Sequence, residues 1–174
     1  MSWLLVVALF GVPAGVDGDA EVSHVRSTDV AILEIVREGS RRSATFKSLV
    51  DALNQTSTIV YVERGVCGFG HYAACLPHMV TLARNVRYLR ILIDSSRAPE
   101  TIPLIAHELQ HALEISRAPD IRTADDITAL FRRIGLSPSC PRGVPDCYET
   151  STAHAIGDAV LNELHAGRSQ PPRP

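Results

Sequence analysis

Apolar and polar residues recur with two different periods along the chain, and these periods predict its secondary structure. Recurrence every three to four residues, which is typical of amphipathic helices, predicts helices at 28–38, 44–55, 100–117, 124–134 and 148–166. Runs rich in β-branched and apolar residues predict strands at 57–64 and 86–94. The glycine-containing stretch 65–80 between them predicts a loop. The order of helices, strands and further helices, with few strands, predicts an α+β fold in which a short mixed or antiparallel sheet packs on the helices.

Residues at the helix ends support these boundaries. Ser27, Ser43 and Thr123 each precede a predicted helix, where a hydroxyl oxygen can accept a backbone N–H of the first turn. Gly39 and Gly135 each follow a predicted helix, as is common for residues that end one. The predicted boundaries therefore rest on capping chemistry as well as on periodicity.

The length and the N-terminus predict one exported domain. The 174 residues are enough for a single core, and no repeat or linker divides them. The apolar run WLLVVALFGV is too short to span a bilayer and is followed by small residues, so it resembles a secretory signal peptide. It lacks Lys and Arg, and the alternative is a buried strand or helix of the domain. We expect a periplasmic or secreted protein with a signal peptide at 1–20, one domain at 21–168 and a disordered tail at 169–174.

The charge of the chain limits the classes of partner. The chain has 17 Lys and Arg residues against 19 Asp and Glu residues, a formal net charge of −2. A nearly neutral chain gives no electrostatic basis for binding nucleic acid or an anionic membrane surface. We therefore expect no nucleic-acid partner and no stable membrane span, and the pattern predicts no particular oligomeric state.

Four cysteines form two closely spaced pairs, Cys67 with Cys75 and Cys140 with Cys147. Each pair brackets a stretch rich in glycine or proline, and local pairing is the simplest of the three connectivities that four cysteines allow. In an oxidising compartment we expect two disulfide bonds that close short loops. The alternative is a metal site formed by Cys67, His71, Cys75 and His78, although this spacing matches no common zinc site.

The predicted helix at 100–117 contains the candidate chemistry, in the segment IAHELQHALEI. His107 and His111 are one turn apart, about 40° from each other around the helix axis, while the apolar residues lie on the opposite face. This spacing lets two imidazoles bind one zinc ion from the same side. Glu108 lies about 100° from His107, where its carboxylate can reach a water on the metal rather than the metal itself. The segment therefore predicts a zinc site with a general base.

The motif His107-Glu108-Leu109-Gln110-His111 resembles that of the zincin metallopeptidases, and a similar HELQHALE segment occurs in uncharacterised bacterial proteins. The resemblance covers this helix and the strand before it, about a third of the chain. It implies a small zincin-like catalytic domain with one zinc ion per chain and a peptide or protein substrate. It also implies that an extended substrate binds antiparallel to the strand at 86–94 or to a neighbouring edge strand.

The third zinc ligand is sought among later acidic residues. The metzincin branch would need glycine and histidine where this chain has Glu114 and Arg117, and the aspzincin signature is absent. A glutamate on a later helix, the gluzincin arrangement, remains. Glu149 lies in line with the apolar stripe of the last predicted helix, so a metal would be a suitable partner for its carboxylate. The alternatives are a capping box with Asp146, or ligation by Glu114, His154, Asp158 or Glu163.

For two further roles, the orientation of a ligand imidazole and the stabilisation of an oxyanion, the sequence offers candidate residues. Glu114 is on the metal face of the motif helix, but about 10 Å along the axis from His107, so accepting a hydrogen bond from a ligand imidazole suits it better than ligation. The equal alternative is an exposed surface glutamate. Tyr148, His154 and His71 are candidates for stabilising an oxyanion. We expect a zinc-dependent metallopeptidase that hydrolyses peptide bonds with a zinc-activated water and Glu108 as the base. The alternative is a non-catalytic exported zinc-binding protein, whose site a fourth protein ligand would close.

Overall fold

The computed structural model describes part of the chain, namely residues 23–68, 72–94, 96–97, 100–136 and 148–168. The expected signal peptide, the expected tail and the cysteine pair Cys140 and Cys147 lie outside these ranges. Within the ranges, no helix has both the length and the apolar character needed to cross a membrane.

The described residues form five helices and a five-stranded mixed sheet, which confirms the predicted α+β fold. The helices are α1 (Val30–Arg42), α2 (Ala44–Asn54), α3 (Thr101–Arg117), α4 (Ala124–Ile134) and α5 (Ser151–Arg168). The strands are β1 (Val25–Arg26), β2 (Thr58–Arg64), β3 (Ala74–Cys75), β4 (Thr81–Ala83) and β5 (Val86–Ile93). The short strands β1, β3 and β4 were not predicted.

Strand β5 lies in the interior of the sheet. Its residues 87–93 pair in parallel with the whole of β2, and β2 pairs in parallel with β1. On its other side β5 pairs in antiparallel fashion with β3, through Ala74 and Ile93, and with β4, through Thr81 and Tyr88. The segment β3–β4 is therefore the edge of the sheet next to β5. Since β5 has paired strands on both sides, it is not an edge strand, and binding of an extended substrate at the neighbouring edge strand stays a prediction.

One face of the sheet packs on the helices. Alternate side chains of β5 are buried on that face, whereas those between them are partly or fully exposed, as expected for a sheet with one covered face. The buried set on β5 is Arg87, Leu89, Ile91 and Ile93. Helix α3 follows β5 directly and packs on the sheet, α1, α2 and α5, so it lies at the centre of the fold.

The helix ends confirm two of the predicted caps and correct two other predictions. The hydroxyls of Ser43 and Thr123 accept backbone N–H groups at the starts of α2 and α4, as predicted. Helix α1 is capped by Asp29 rather than Ser27, because the Asp29 carboxylate accepts N–H groups of the first turn. Gly39 lies inside α1 and does not end it. A Cβ there would be 3.0 Å from both Ile102 and Phe46, so glycine allows the close approach of neighbouring elements.

A buried arginine fixes the C-terminal end of α3. Arg87 on β5 is 9% exposed, and its guanidinium donates hydrogen bonds to the carbonyls of Ile115 (3.1 Å), Ser116 (2.8 Å) and Ala118 (2.7 Å). Carbonyls of the last turn have no partner within a helix, so a cation satisfies them and also interacts favourably with the helix dipole. The strand before α3 thereby fixes the position of the helix.

Replacing Arg87 by Met should lower the free energy of unfolding by about 2–4 kcal/mol, because buried carbonyls lose a charged donor. Arg90→Met is the matched control on the same strand. Its guanidinium is exposed and pairs with Glu63 on the outer face, so its loss should cost about 1 kcal/mol or less. Urea denaturation of the two variants tests this, and equal losses of stability would contradict the role given to Arg87.

Candidate metal centre

The two histidines of the motif lie on the side of α3 that faces α5. The side chain of His107 is 15% exposed and that of His111 is 6% exposed, and their ring centroids are 4.9 Å apart. Other positions of α3, including Ile105, Leu109 and Ala112, are fully buried in the core. Polar side chains at this depth need partners, because burying them unpaired costs free energy.

The carboxylate of Glu149 supplies that partner. Its Oε2 atom is 2.7 Å from Nε2 of His107, 3.5 Å from Nε2 of His111 and 3.7 Å from Nε2 of His154. Two donors bound to one tetrahedral zinc at 2.0–2.1 Å lie about 3.3 Å apart. The separations around Glu149 are close to that value, and imidazole and carboxylate are both zinc ligands. The group formed by His107, Glu149 and His154 could therefore hold a metal ion.

Glu149 reaches the histidines from a different backbone position than predicted. Helix α5 begins at Ser151 and ends at Arg168, so the prediction of a helix over 148–166 was wrong at both ends. Glu149 instead forms an isolated antiparallel bridge, in which its carbonyl accepts the N–H of Leu136 at 2.7 Å. The hydroxyl of Thr150 accepts the N–H of Ala153 at 3.1 Å, so Thr150 caps the helix. The carboxylate of Glu149 is thus left to face α3.

Glu114 stands behind His111. Its carboxylate accepts hydrogen bonds from Nδ1 of His111 (3.0 Å), the Thr150 hydroxyl (2.8 Å) and the Gln110 amide (3.2 Å). Nε2 of the same His111 ring faces Glu149. A carboxylate on the far nitrogen orients a ligand imidazole and raises its basicity. This arrangement agrees with the hydrogen-bonding role considered for Glu114. Through Glu114 the ring of His111 is also connected to Thr150, the residue after Glu149.

The remaining acidic alternatives differ in their surroundings. Glu163 accepts the N–H and the hydroxyl of Thr45, at 3.2 and 2.6 Å, so it serves the N-terminus of α2. Asp158 is exposed on α5 and does not belong to the His107–Glu149 cluster. Asp146, the other member of the capping box considered for Glu149, lies outside the described residues.

His154, in the first turn of α5, lies close to His107 and Glu149. The ligand atoms of His107, Glu149 and His154 all lie within 4.8 Å of one another. The ring of His154 is 5.2 Å from that of His107, and its side chain is 55% exposed. A helical wheel drawn from Glu149 puts His154 on the polar side, away from the ligands. His154 does lie on the exposed side of α5, but the wheel does not apply to Glu149, which precedes the helix.

Glu108, the candidate base, is buried beside the histidines. The residue is 8% exposed, and α3, which carries it, packs against β3. Burial raises the pKa of Glu108, although positive charge on His111 and His107 and the Leu76 N–H oppose this rise. A carboxylate with a raised pKa in a dry site is suited to accept and return a proton.

The metal-free cluster is held together by charge. Burial acts to lower the pKa of His111, but hydrogen bonds to Glu114 and Glu149 outweigh it and raise this pKa to about 9. Burial likewise acts to raise the pKa of Glu149, but hydrogen bonds from His107 and His111 hold it well below its usual range. The cluster without metal thus contains an imidazolium between carboxylates. A metal ion takes the place of a proton in such a cluster.

The first cysteine pair forms a disulfide bond. Cys67 and Cys75 are bonded, with their Cα atoms 6.0 Å apart. This confirms one of the two predicted bonds and excludes the alternative metal site, because the sulfurs are not free thiolates. His78 belongs to another contact, with Nδ1 2.9 Å from the Thr128 hydroxyl. His71 lies outside the described residues.

Tyr148 is engaged near the candidate centre. Its ring stacks on His78 with centroids 5.9 Å apart, and its hydroxyl accepts a hydrogen bond from Nε of Arg132 at 2.8 Å. Of the two candidates for oxyanion stabilisation that the structure describes, Tyr148 and His154, His154 has its imidazole in the His107–Glu149 cluster.

Comparison with protein-family models, curated proteins and solved structures finds no match to the chain.

Proposed function

We propose that the protein is a zinc-dependent peptidase of the zincin type, with His107, His111 and Glu149 as the metal ligands. The observation that carries the proposal is the convergence of both motif imidazoles on the Glu149 carboxylate, at 2.7 and 3.5 Å. This set of two histidines and one carboxylate is typical of catalytic zinc sites, which keep a fourth position for water or substrate. When bound, zinc polarises a carbonyl and lowers the pKa of a water ligand toward about 7.

In this proposal the protein's own groups handle the proton. Glu108 adjoins the proposed ligand His107 in sequence and is buried. It accepts the proton of the attacking water and then passes it to the amine that leaves. Glu114 holds the ring of His111 through Nδ1, so that Nε2 stays directed at the metal position.

The edge of the sheet is the proposed binding place for an extended substrate. The segment β3–β4 borders β5, and β3 packs against α3, the helix that carries Glu108. A peptide that adds to this edge by backbone hydrogen bonds would pass the base and the candidate centre. The proposed substrate is therefore a peptide or an extended protein segment rather than a folded surface.

Digestion of a defined peptide mixture tests the proposal. Tag-free protein loaded with zinc is incubated with the mixture, and mass spectrometry records new peptide termini. We expect internal cleavage that stops when a chelator removes the zinc. Cleavage that continues unchanged in the metal-free protein would rule out a zinc-dependent reaction.

Replacing Glu149 by Gln should weaken zinc binding by about 100-fold, since one of four ligands supplies roughly a quarter of the binding free energy. Helix content should stay unchanged, because Thr150 and not Glu149 caps α5. Glu114→Gln should weaken zinc binding only by about tenfold, as expected when an outer hydrogen bond is altered. Competition with a chelator measures both affinities. Unchanged affinity in Glu149→Gln, together with loss in Glu114→Gln, would transfer the ligand role to Glu114.

A second candidate function is zinc binding without catalysis, and His154 is the observation that favours it. Its Nε2 is 3.7 Å from the Glu149 carboxylate, so it is close enough to become a fourth protein ligand and close the site. The high exposure of its side chain and the buried Glu108 beside the ligands favour the peptidase instead, because a closed structural site needs no base.

His154→Ala separates the two candidates. For the peptidase, zinc affinity should stay within about tenfold of the wild-type value, because the residue lies outside the ligand set. For a closed site, the same change removes one ligand of four and should weaken binding by about 100-fold. Chelator competition measures the affinity. His165→Ala is the control, because His165 is also on α5 but pairs with Glu100 instead of the candidate centre.

A further inference from the structure

A bulge in the segment β3–β4 brings His78 to helix α4. Five residues, 76–80, lie between the last pair of β3 and the first pair of β4, whereas only three residues of β5 lie between the same two pairs. A surplus of this kind bends a strand and re-aims its side chains. Within the bulge the N–H of Met79 donates to the carbonyl of Pro77 at 2.6 Å, so His78 is the middle residue of a three-residue turn. Its half-buried imidazole reaches α4, where Nδ1 is 2.9 Å from the Thr128 hydroxyl.

The ring of His78 contacts one aromatic neighbour of each of two proposed zinc ligands. It stacks on Phe131 with centroids 5.6 Å apart, and Phe131 in turn meets the ring of His111 edge-on at 5.2 Å. It also stacks on Tyr148, with centroids 5.9 Å apart and an angle of 10° between the ring planes, and Tyr148 directly precedes Glu149. Aromatic rings at such separations attract each other. His78 therefore connects the surroundings of both ligands.

The position of Glu149 depends on contacts of this kind, because the residue precedes α5 and is not part of it. Its carbonyl accepts the N–H of Leu136 at 2.7 Å, and the hydroxyl of the preceding Tyr148 accepts a hydrogen bond from Arg132 at 2.8 Å. Arg132 is in the last turn of α4, and Leu136 is two residues beyond its end. His78 contacts Tyr148 from the edge of the sheet instead, so it restrains the segment from a second element. A metal ligand must be held within about 0.5 Å of its working position by neighbours that are themselves fixed by packing.

We propose that His78 is a positioning residue for the proposed zinc ligand Glu149. Fixed by Thr128 and Phe131, its ring holds Tyr148 and with it the backbone that directs the Glu149 carboxylate at α3. Its effect on zinc binding rests on the proposed function, whereas its effect on the position of Glu149 does not. The segment β3–β4 thereby helps to build the metal centre, in addition to the substrate binding proposed for it.

Zinc affinity, measured by chelator competition, is the first readout. His78→Ala removes the stack and should weaken zinc binding by about tenfold, the lower end of the loss expected when a group that supports a ligand is removed. His78→Phe keeps a flat ring on Tyr148 and should stay within about threefold of the wild-type affinity. His24→Ala is the matched control, because it also removes a half-buried imidazole, but one that precedes β1, where Nδ1 is 3.2 Å from the Leu53 carbonyl. It should keep the wild-type affinity.

A double-mutant cycle tests whether His78 acts through Tyr148. Tyr148→Leu keeps apolar bulk but removes the ring, and it should also weaken zinc binding by about tenfold. Because the two residues form one stack, the combined variant His78→Ala/Tyr148→Leu should bind zinc within about threefold of Tyr148→Leu alone. Two independent effects would instead multiply to about 100-fold, and that result would overturn the inference.

Amide hydrogen exchange in the metal-free protein is the positional readout. NMR follows it at Leu136, whose N–H donates to the Glu149 carbonyl. Exchange at Leu136 should become about tenfold faster or more in His78→Ala, while Leu89 in β5 keeps its wild-type rate.

Unchanged zinc affinity, or unchanged exchange at Leu136, in folded His78→Ala overturns the inference and leaves the proposed function standing. If His78→Ala fails to fold, unchanged zinc affinity in Tyr148→Leu overturns it alone. A wild type that binds no zinc, or binds it without hydrolysing peptides, contradicts the proposed function, whereas exchange at Leu136 still decides the positional role.

Discussion

Replacing Glu108 by Gln is expected to lower kcat/KM for peptide hydrolysis by about 10²- to 10⁴-fold, the contribution typical of a general base. Glutamine has nearly the same shape, so the fold should be preserved. It cannot accept the proton of a reacting water. Because Glu108 lies outside the proposed ligand set, the variant should keep its zinc.

The measurement is steady-state hydrolysis by protein whose zinc content has been determined. Glu163→Gln serves as the control, since Glu163 binds the N-terminus of α2 and takes no part in the proposed centre. It should hydrolyse peptides at the wild-type rate. A fully active Glu108→Gln enzyme would show that another group handles the proton and would remove the basis for the proposed mechanism.

Replacing His111 by Ala should weaken zinc binding by about 100-fold or more, because the change removes one of four ligands. The loss of zinc affinity should exceed that caused by replacing a residue outside the proposed ligand set, since Nε2 of His111 faces Glu149 and Nδ1 is held by Glu114. Losing the imidazole also leaves the Glu114 carboxylate without its charged partner. Peptide hydrolysis should fall to the level of the metal-free protein.

Elemental analysis of dialysed protein and chelator competition measure this effect, and circular dichroism shows whether the helices remain. His165→Ala is the matched control, because it also removes an imidazole but from a position paired with Glu100. It should retain one zinc ion per chain. Zinc retained in full by folded His111→Ala would exclude His111 as a ligand and with it the zincin-type site.

The parts of the fold that depend on local chemistry could be predicted from the sequence. The caps Ser43 and Thr123 act on N–H groups within three residues of themselves, and β2, β5 and α3 have strong apolar periodicity. The strands β3 and β4 are two and three residues long, so they carry no period of their own. Their pairing with β5 is what defines them, and a sequence pattern does not contain that information.

The candidate centre shows the same division. The spacing of His107 and His111 within one helix predicts that their imidazoles share a face, and the structure has both near Glu149. The position of Glu149 depends on a bridge to Leu136 and on a helix that begins two residues later than Glu149. For that reason a helical wheel misplaced His154 relative to the ligands.

The central claim is that one zinc ion bound at this centre enables the chain to hydrolyse peptides. The most direct test is a titration of the metal-free wild-type protein with zinc. At each addition, the rate of hydrolysis is measured with a peptide that the zinc-loaded protein cleaves. The account predicts that the rate rises in proportion to added zinc and stops rising at one equivalent per chain. A chain that binds its full equivalent of zinc and still leaves every peptide intact would contradict it.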